Sequence, residues 1–185
     1  MEILEAIKTR RSIRKYKTTP VDDKTIEVIM EAARWAPSWA NKQCWRFVVV
    51  RDNNIKSELA ATTYSETNRA REALQNAPVV IVACGELGQA GFSRDTGEPS
   101  TDKGEYWYMY DMGSAMQNLA LAAHSQGLAT VIVGAFDAGK AAAVLGVPDG
   151  FCVVTMTPLG YPDQTPGSIP RRELAESVFY DKFGA

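Results

Sequence analysis

The chain has 185 residues, a net charge of −2 and a single histidine, and 45% of its residues are hydrophobic. That apolar content argues against a disordered chain, and the missing basic excess argues against broad nucleic-acid binding. The length predicts one domain over residues 1–185, long enough to bury most of its apolar surface without covalent staples.

The first element is a short amphipathic helix, "MEILEAIKT", with Ile3, Leu4 and Ile7 on one face. It runs into "TRRSIRKY", where Arg10, Arg11, Arg14 and Lys15 crowd eight positions. Two readings stand here. Cations in a last turn complement the negative end of the helix dipole. Equally, guanidinium forks with the Ser12 hydroxyl suit phosphate oxygens. "PVDDKTIEVIMEAARWAPS" follows as a helix capped by Asp22 or Asp23, with Ile26, Ile29, Met30 and Ala33 as its buried stripe and Pro37 as its stop. "RFVVVRD" reads as a strand buried on both faces. Residues from Asn54 to Gln75 read as helical and more polar, and "APVVIVACG" as a second buried strand.

Gly85 to Lys103 carries five residues of Gly or Pro (Gly85, Gly88, Gly91, Gly97, Pro99) and no periodicity, the mark of a lid, a binding loop or a disordered stretch. From Glu105 to Gln126 the pattern is a long helix of about six turns, apolar over most of its circumference and kept slim by Gly113, Ser114 and several alanines. Such a helix is either central in its own domain or covered by a partner chain. A third strand ("ATVIVGAF"), a short helix from near Asp137, a fourth strand ("CVVTMTPLGYP") and a proline-rich tail with Arg171 and Arg172 complete the chain.

Several chemistries fall away. Cys44, Cys84 and Cys152 are far apart and read as free thiols in a reducing compartment. His124 is alone, which leaves no zinc cluster and argues against a Ser–His–Asp triad. No targeting segment or membrane-spanning run is visible, so the expected location is cytoplasmic. "GAFDAGKA", Gly134 to Ala141, has the spacing of a phosphate loop, but Ala141 stands where Mg²⁺ needs a hydroxyl. A helix cap at Asp137 is the competing reading. No G-x-G-x-x-G marks a Rossmann dinucleotide site.

"WAPSWANKQCWRF", Trp35 to Phe47, sets Ser38, Asn41 and Gln43 between three tryptophans, on a turn from helix to strand. Paired amide donors and acceptors suit a heterocycle edge, and indoles supply flat walls; a satisfied core corner is the competing reading. Five stretches in this order, "RRSIRKY", "APSWANKQCWRF", the long small-residue helix, "VIVGAFD" and "PLGYP" with the terminal arginine pair, resemble the FMN-dependent nitroreductase family over essentially the whole chain.

The resemblance implies an α+β fold with a mixed, mainly antiparallel sheet flanked by helices. It implies a homodimer with two FMN molecules at the interface. Arg10, Arg11, Ser12 and Arg14 match the motif that holds the FMN phosphate, ribityl chain and pyrimidine edge. Pro37, Ser38, Asn41 and Gln43 match the segment that approaches the flavin from the other subunit, and Trp39 lies within it. Val133 and Gly134 match the corner whose backbone amide points at flavin N5. Arg171 matches the C-terminal phosphate ligand, with Arg172 beside it. In this sequence Trp39 replaces a small residue and Cys44 a proline. The implied activity passes a hydride from NADH or NADPH through the flavin to nitroaromatic or quinone acceptors by a ping-pong mechanism. Members that dehalogenate or oxidise heterocycles are the alternative, with a phosphate-loop nucleotide binder or a non-catalytic flavin protein as rivals from other classes. Neither a nucleic acid nor a membrane is an expected partner.

Overall fold

A computed structural model describes residues 1–167 and 169–184. Four strands form one sheet in the order β1-β2-β4-β3, with β1 at Trp45–Val50, β2 at Val79–Glu86, β3 at Ala129–Thr130 and β4 at Phe151–Gly160. Every ladder is antiparallel. The mixed character expected of the sheet reduces to one isolated parallel bridge, Ser12 to Thr130.

Central strand β2 is buried along nearly its whole length because helices cover both faces. Val79, Ile81 and Ala83 face a core shared with α2 (Asp23–Arg34) and α5 (Trp107–Ser125). Val80, Val82 and Cys84 face a second core shared with α3 (Asn53–Ala61), α4 (Arg69–Asn76) and α6 (Ala138–Leu145). The period-2 alternation thus feeds two apolar layers from one strand. On the first face the helix lies close: a Cβ on Gly85 would sit 2.6 Å from the Tyr108 ring of α5. Asp22 caps α2 by accepting the Thr25 N–H at 2.9 Å, and Ile26, Ile29 and Ala33 are buried as the stripe requires, with Met30 half-buried against them.

Three expectations change. Strand β1 is an edge strand, not one buried on both faces: Trp45 and Val50 are buried, but Arg46 and Val49 are exposed. The polar stretch from Asn54 to Gln75 is two helices, parted by the turn that contains Thr63 and Tyr64. The third strand stops after two residues. Val133 exchanges backbone hydrogen bonds with Met156 in the same register, but the chain then leaves the sheet and pairs Phe136 with Thr63.

Helix α1 (Ile3–Thr9) forms as read, yet only Ala6 is buried; Ile3 and Leu4 are 70% and 65% exposed. The three cysteines are free. Among the described residues no helix is long and apolar enough to cross a membrane.

Candidate functional site

Helix α1 ends where its arginines begin. Arg10 is the C-cap, and Arg11 Nη1 donates to the carbonyls of Lys8 (2.7 Å) and Arg10 (2.9 Å). The helix-closing reading therefore holds for Arg11. Arg10 shows the other side of the cluster. It is half-buried, and its guanidinium is held below its ordinary pKa by burial first, then by Arg11 and Arg171. Residues from the two ends of the chain thus bring like charges together. Among the described residues no carboxylate lies within ion-pair distance of Arg10, Arg11, Arg14 or Arg171. Arg172 is exposed and stands outside this group.

Past the helix the chain forms the parallel bridge between Ser12 and Thr130, where Ile13 N–H donates to the Thr130 carbonyl at 3.0 Å. Two concavities flank this loop, both bordered by Gln164. One, about 520 Å³, is lined by Thr9, Arg11, Ile13, His124 and Leu128 among others. The other, about 460 Å³, is lined by Arg14, Lys15, Arg69, Glu72 and Gln164. His124, on α5, has its Nε2 2.8 Å from Thr9 Oγ1. Burial, then Arg10 and Arg11, lower its pKa, and Glu5 opposes them.

The second part of the site is the turn after α2, from Pro37 to Gln43. Pro37, Ala40, Asn41 and Gln43 are exposed, and Ser38 and Trp39 half-buried. Ala40, Asn41 and Gln43 all have positive φ, at 45°, 53° and 49°. Left-handed backbone of this kind costs about 1–3 kcal/mol per non-glycine residue and persists only where the surroundings fix it. Internally, Ser38 Oγ accepts the Gln43 N–H at 3.0 Å and Gln43 Nε2 donates to Asn41 Oδ1 at 3.2 Å. Externally, Arg94 donates to the Ala40 carbonyl at 2.6 Å, so the glycine-rich loop after β2 braces this turn. From α5, Asp111 Oδ2 accepts the Trp39 N–H at 2.9 Å, and the Trp39 ring packs edge-to-face on Trp107 with centroids 4.7 Å apart.

The third part is the corner after β3. Val133 is buried, with its N–H and carbonyl both paired to Met156 and its carbonyl also taking the Thr155 hydroxyl. Its side chain faces the core, so contact with a ligand at this corner falls to exposed Gly134, where an added Cβ would meet nothing of the protein within 4 Å. Asp137 caps α6: its Oδ1 accepts the Lys140 N–H at 3.0 Å and its Oδ2 lies 3.3 Å from Lys140 Nζ. A carboxylate thus fills the amide position that a phosphate loop keeps for its nucleotide, which removes the phosphate-loop reading of Gly134 to Ala141.

The donor set fits a phosphate-bearing, flat cofactor. A cluster of guanidiniums without carboxylate partners favours a dianion, and the exposed glycine admits a ring close to backbone. Sequence reading missed Asp111, Trp107, Arg94 and Arg69. Asp111 alone had a visible signal, as the one acid within the apolar stretch "WYMYDMGSAM".

Comparison with known proteins agrees. The nitroreductase family profile matches residues 7–161. The chain belongs to the nitroreductase family and is a flavin oxidoreductase enzyme. It is 32% identical over 172 residues to a putative NADH dehydrogenase/NAD(P)H nitroreductase of Methanothermobacter thermautotrophicus, covering 91% of this chain and 81% of that one. A nitroreductase family protein of Clostridium novyi NT superposes with a TM-score of 0.78 at 34% identity, covering 88% of this chain and 87% of its own. The NADPH:FMN oxidoreductase of Vibrio harveyi, solved with NAD⁺, superposes with a TM-score of 0.83 at 28% identity, over 99% of this chain and 78% of its own.

Proposed function

We propose that this protein is a cytoplasmic, homodimeric FMN enzyme that oxidises NADH or NADPH and reduces nitroaromatic or quinone-type acceptors in alternating half-reactions. The observation that carries the reading is the Arg10–Arg11–Arg171 cluster, a set of mutually repelling cations that a phosphate dianion would relieve. The V. harveyi NADPH:FMN oxidoreductase supports FMN as the particular flavin and a nicotinamide as the donor.

In this reading Arg10, Arg11 and Arg171 hold the phosphate, and Ser12, fixed against Thr130, meets the ribityl chain. Arg14 and Arg69, on one concavity, favour negative charge at the pyrimidine edge. Gly134, where an added Cβ would meet nothing of the protein, would let a flat ring approach the backbone amide. The partner subunit's turn, Pro37 to Gln43 with Trp39, closes the site. FMN held by these residues would supply the hydride-transfer chemistry between NAD(P)H and the acceptor. The protein supplies orientation, charge and a flat opening for each substrate in turn. No side-chain acid, base or nucleophile is required.

Initial rates at varied NADH or NADPH and varied menadione or nitrofurazone test the scheme. Parallel double-reciprocal lines are expected. Intersecting lines would overturn the alternating mechanism, and absence of turnover with either nicotinamide would leave only a flavin-binding protein.

A further inference from the structure

We propose that Asp111 is a positioning residue: from α5 its buried carboxylate holds the backbone of the Ser38–Gln43 turn in the shape that meets the cofactor. The inference rests on the flavin reading above, and on geometry of this chain that the reading does not need.

Asp111 is 1% exposed. Burying a carboxylate is costly unless its oxygens are satisfied. Among the described residues it has no cationic partner. Its donors come instead from the turn: the Trp39 N–H at 2.9 Å and the Cys44 thiol at 3.9 Å, both to Oδ2. These two donors bracket the turn, one at its start and one just past its end. Burial raises the Asp111 pKa, against the Trp39 amide, the Trp107 indole and the Cys44 thiol, which favour the charged form. The thiol itself is pushed up to about 11, first by burial and then by Asp111, so it stays a protonated donor.

Trp107 lies four residues before Asp111, on the same face of α5. It takes the Trp39 ring while Asp111 takes the Trp39 amide. The clamp is therefore two-point, on side chain and backbone of one residue. It also commits the Trp39 indole to its own long helix. Between the bracketed ends lie the three residues of positive φ. The turn's internal hydrogen bonds are supplemented by ties to other elements, through Arg94, Arg46, Gln89 and Asp111, and of these four side chains Asp111 is the buried one. What it fixes is the direction in which Ser38, Asn41 and Gln43 project.

A double-mutant cycle on FMN affinity separates positioning from general stabilisation. Asp111→Leu should raise the FMN Kd about tenfold or more, while Asp111→Asn, whose amide oxygen still accepts the Trp39 N–H, should stay within about threefold. Asp111→Leu combined with Asn41→Ala should bind little worse than Asp111→Leu alone, because the turn is already misplaced. Combined with Arg171→Ala, at the phosphate end, the two losses should multiply. Equal multiplication with both partners, or an Asp111→Leu Kd within threefold of wild type, would overturn the proposal.

Should Asp111→Leu not fold, hydrogen exchange of the unmutated holoenzyme decides. The Trp39 amide should exchange about 100-fold or more slowly than the Ala40 amide, and equal rates would overturn the proposal. If wild type takes up no FMN, or Arg171→Ala leaves its Kd unchanged, the flavin reading fails on its own, and the exchange rates still decide the role of Asp111.

Discussion

Arg11 donates to the carbonyls that end α1, while Arg10 and Arg171 have no carboxylate within ion-pair distance among the described residues. Three cations and a lone histidine share one corner, and that has a consequence for pH. His124 is held below its ordinary pKa by burial, Arg10 and Arg11. As pH falls, the unfolded chain takes up a proton at this residue near pH 6.5, and the folded apoprotein only at lower pH. The unfolded state binds more protons in that window, so stability falls as pH falls. The melting temperature of the apoprotein is expected to drop between about pH 7.5 and 5.5, and His124→Gln to flatten that part of the profile. An unchanged profile in the variant would place the histidine in an unperturbed setting. At this scale the sequence was informative where chemistry is local. "RRSIRKY" announces its charge within a few positions, whereas the partner of Trp39 lies 72 residues away and no local pattern points to it.

Among elements, β2 and α2 were legible because their burial follows from their own residues, a continuous apolar run in β2 and a helical stripe in α2. The edge position of β1 was not, since it depends on the order of the other strands. The short β3 was not, since Phe136 leaves the sheet for a bridge to Thr63, a tertiary competitor that composition does not display. Helices α1 and α5 make the more consequential case. Ile3 and Leu4 of α1 and Tyr110 of α5 are 70%, 65% and 68% exposed, and Met109 of α5 is exposed too. After Arg171 the tail adds exposed Leu174, Phe179, Tyr180 and Phe183. A monomer rarely leaves this much apolar surface in water. Met116 and Leu119, in contrast, are fully buried in the chain's own core, so charges there would test folding and not association. The informative variants are on the exposed faces. Leu4→Asp or Tyr110→Asp is expected to shift sedimentation from dimer to monomer and to lower FMN content, with the far-ultraviolet spectrum retained. A wild-type monomer that carries FMN at full occupancy would refute the dimer.

For the whole molecule, the proposed site draws on parts remote in sequence: the loop after α1, the turn before β1, the corner after β3 and the tail at Arg171. Ile13, Trp45 and Val133 anchor the first three of these segments in three separate apolar clusters. Their order along the chain was legible as a resemblance; the clamp on Trp39 and the brace from Arg94 emerge only from the fold. In the proposed function these groups form an FMN site whose flavin NADH or NADPH can reduce, and one anaerobic titration decides it. FMN is added to the apoprotein until its absorbance near 450 nm saturates, and then NADH or NADPH is added. Saturation at about one FMN per chain, weakened about tenfold or more by Arg171→Ala, followed by rapid bleaching, is the expected result. No uptake of FMN, or bound FMN that neither nicotinamide bleaches, would contradict it.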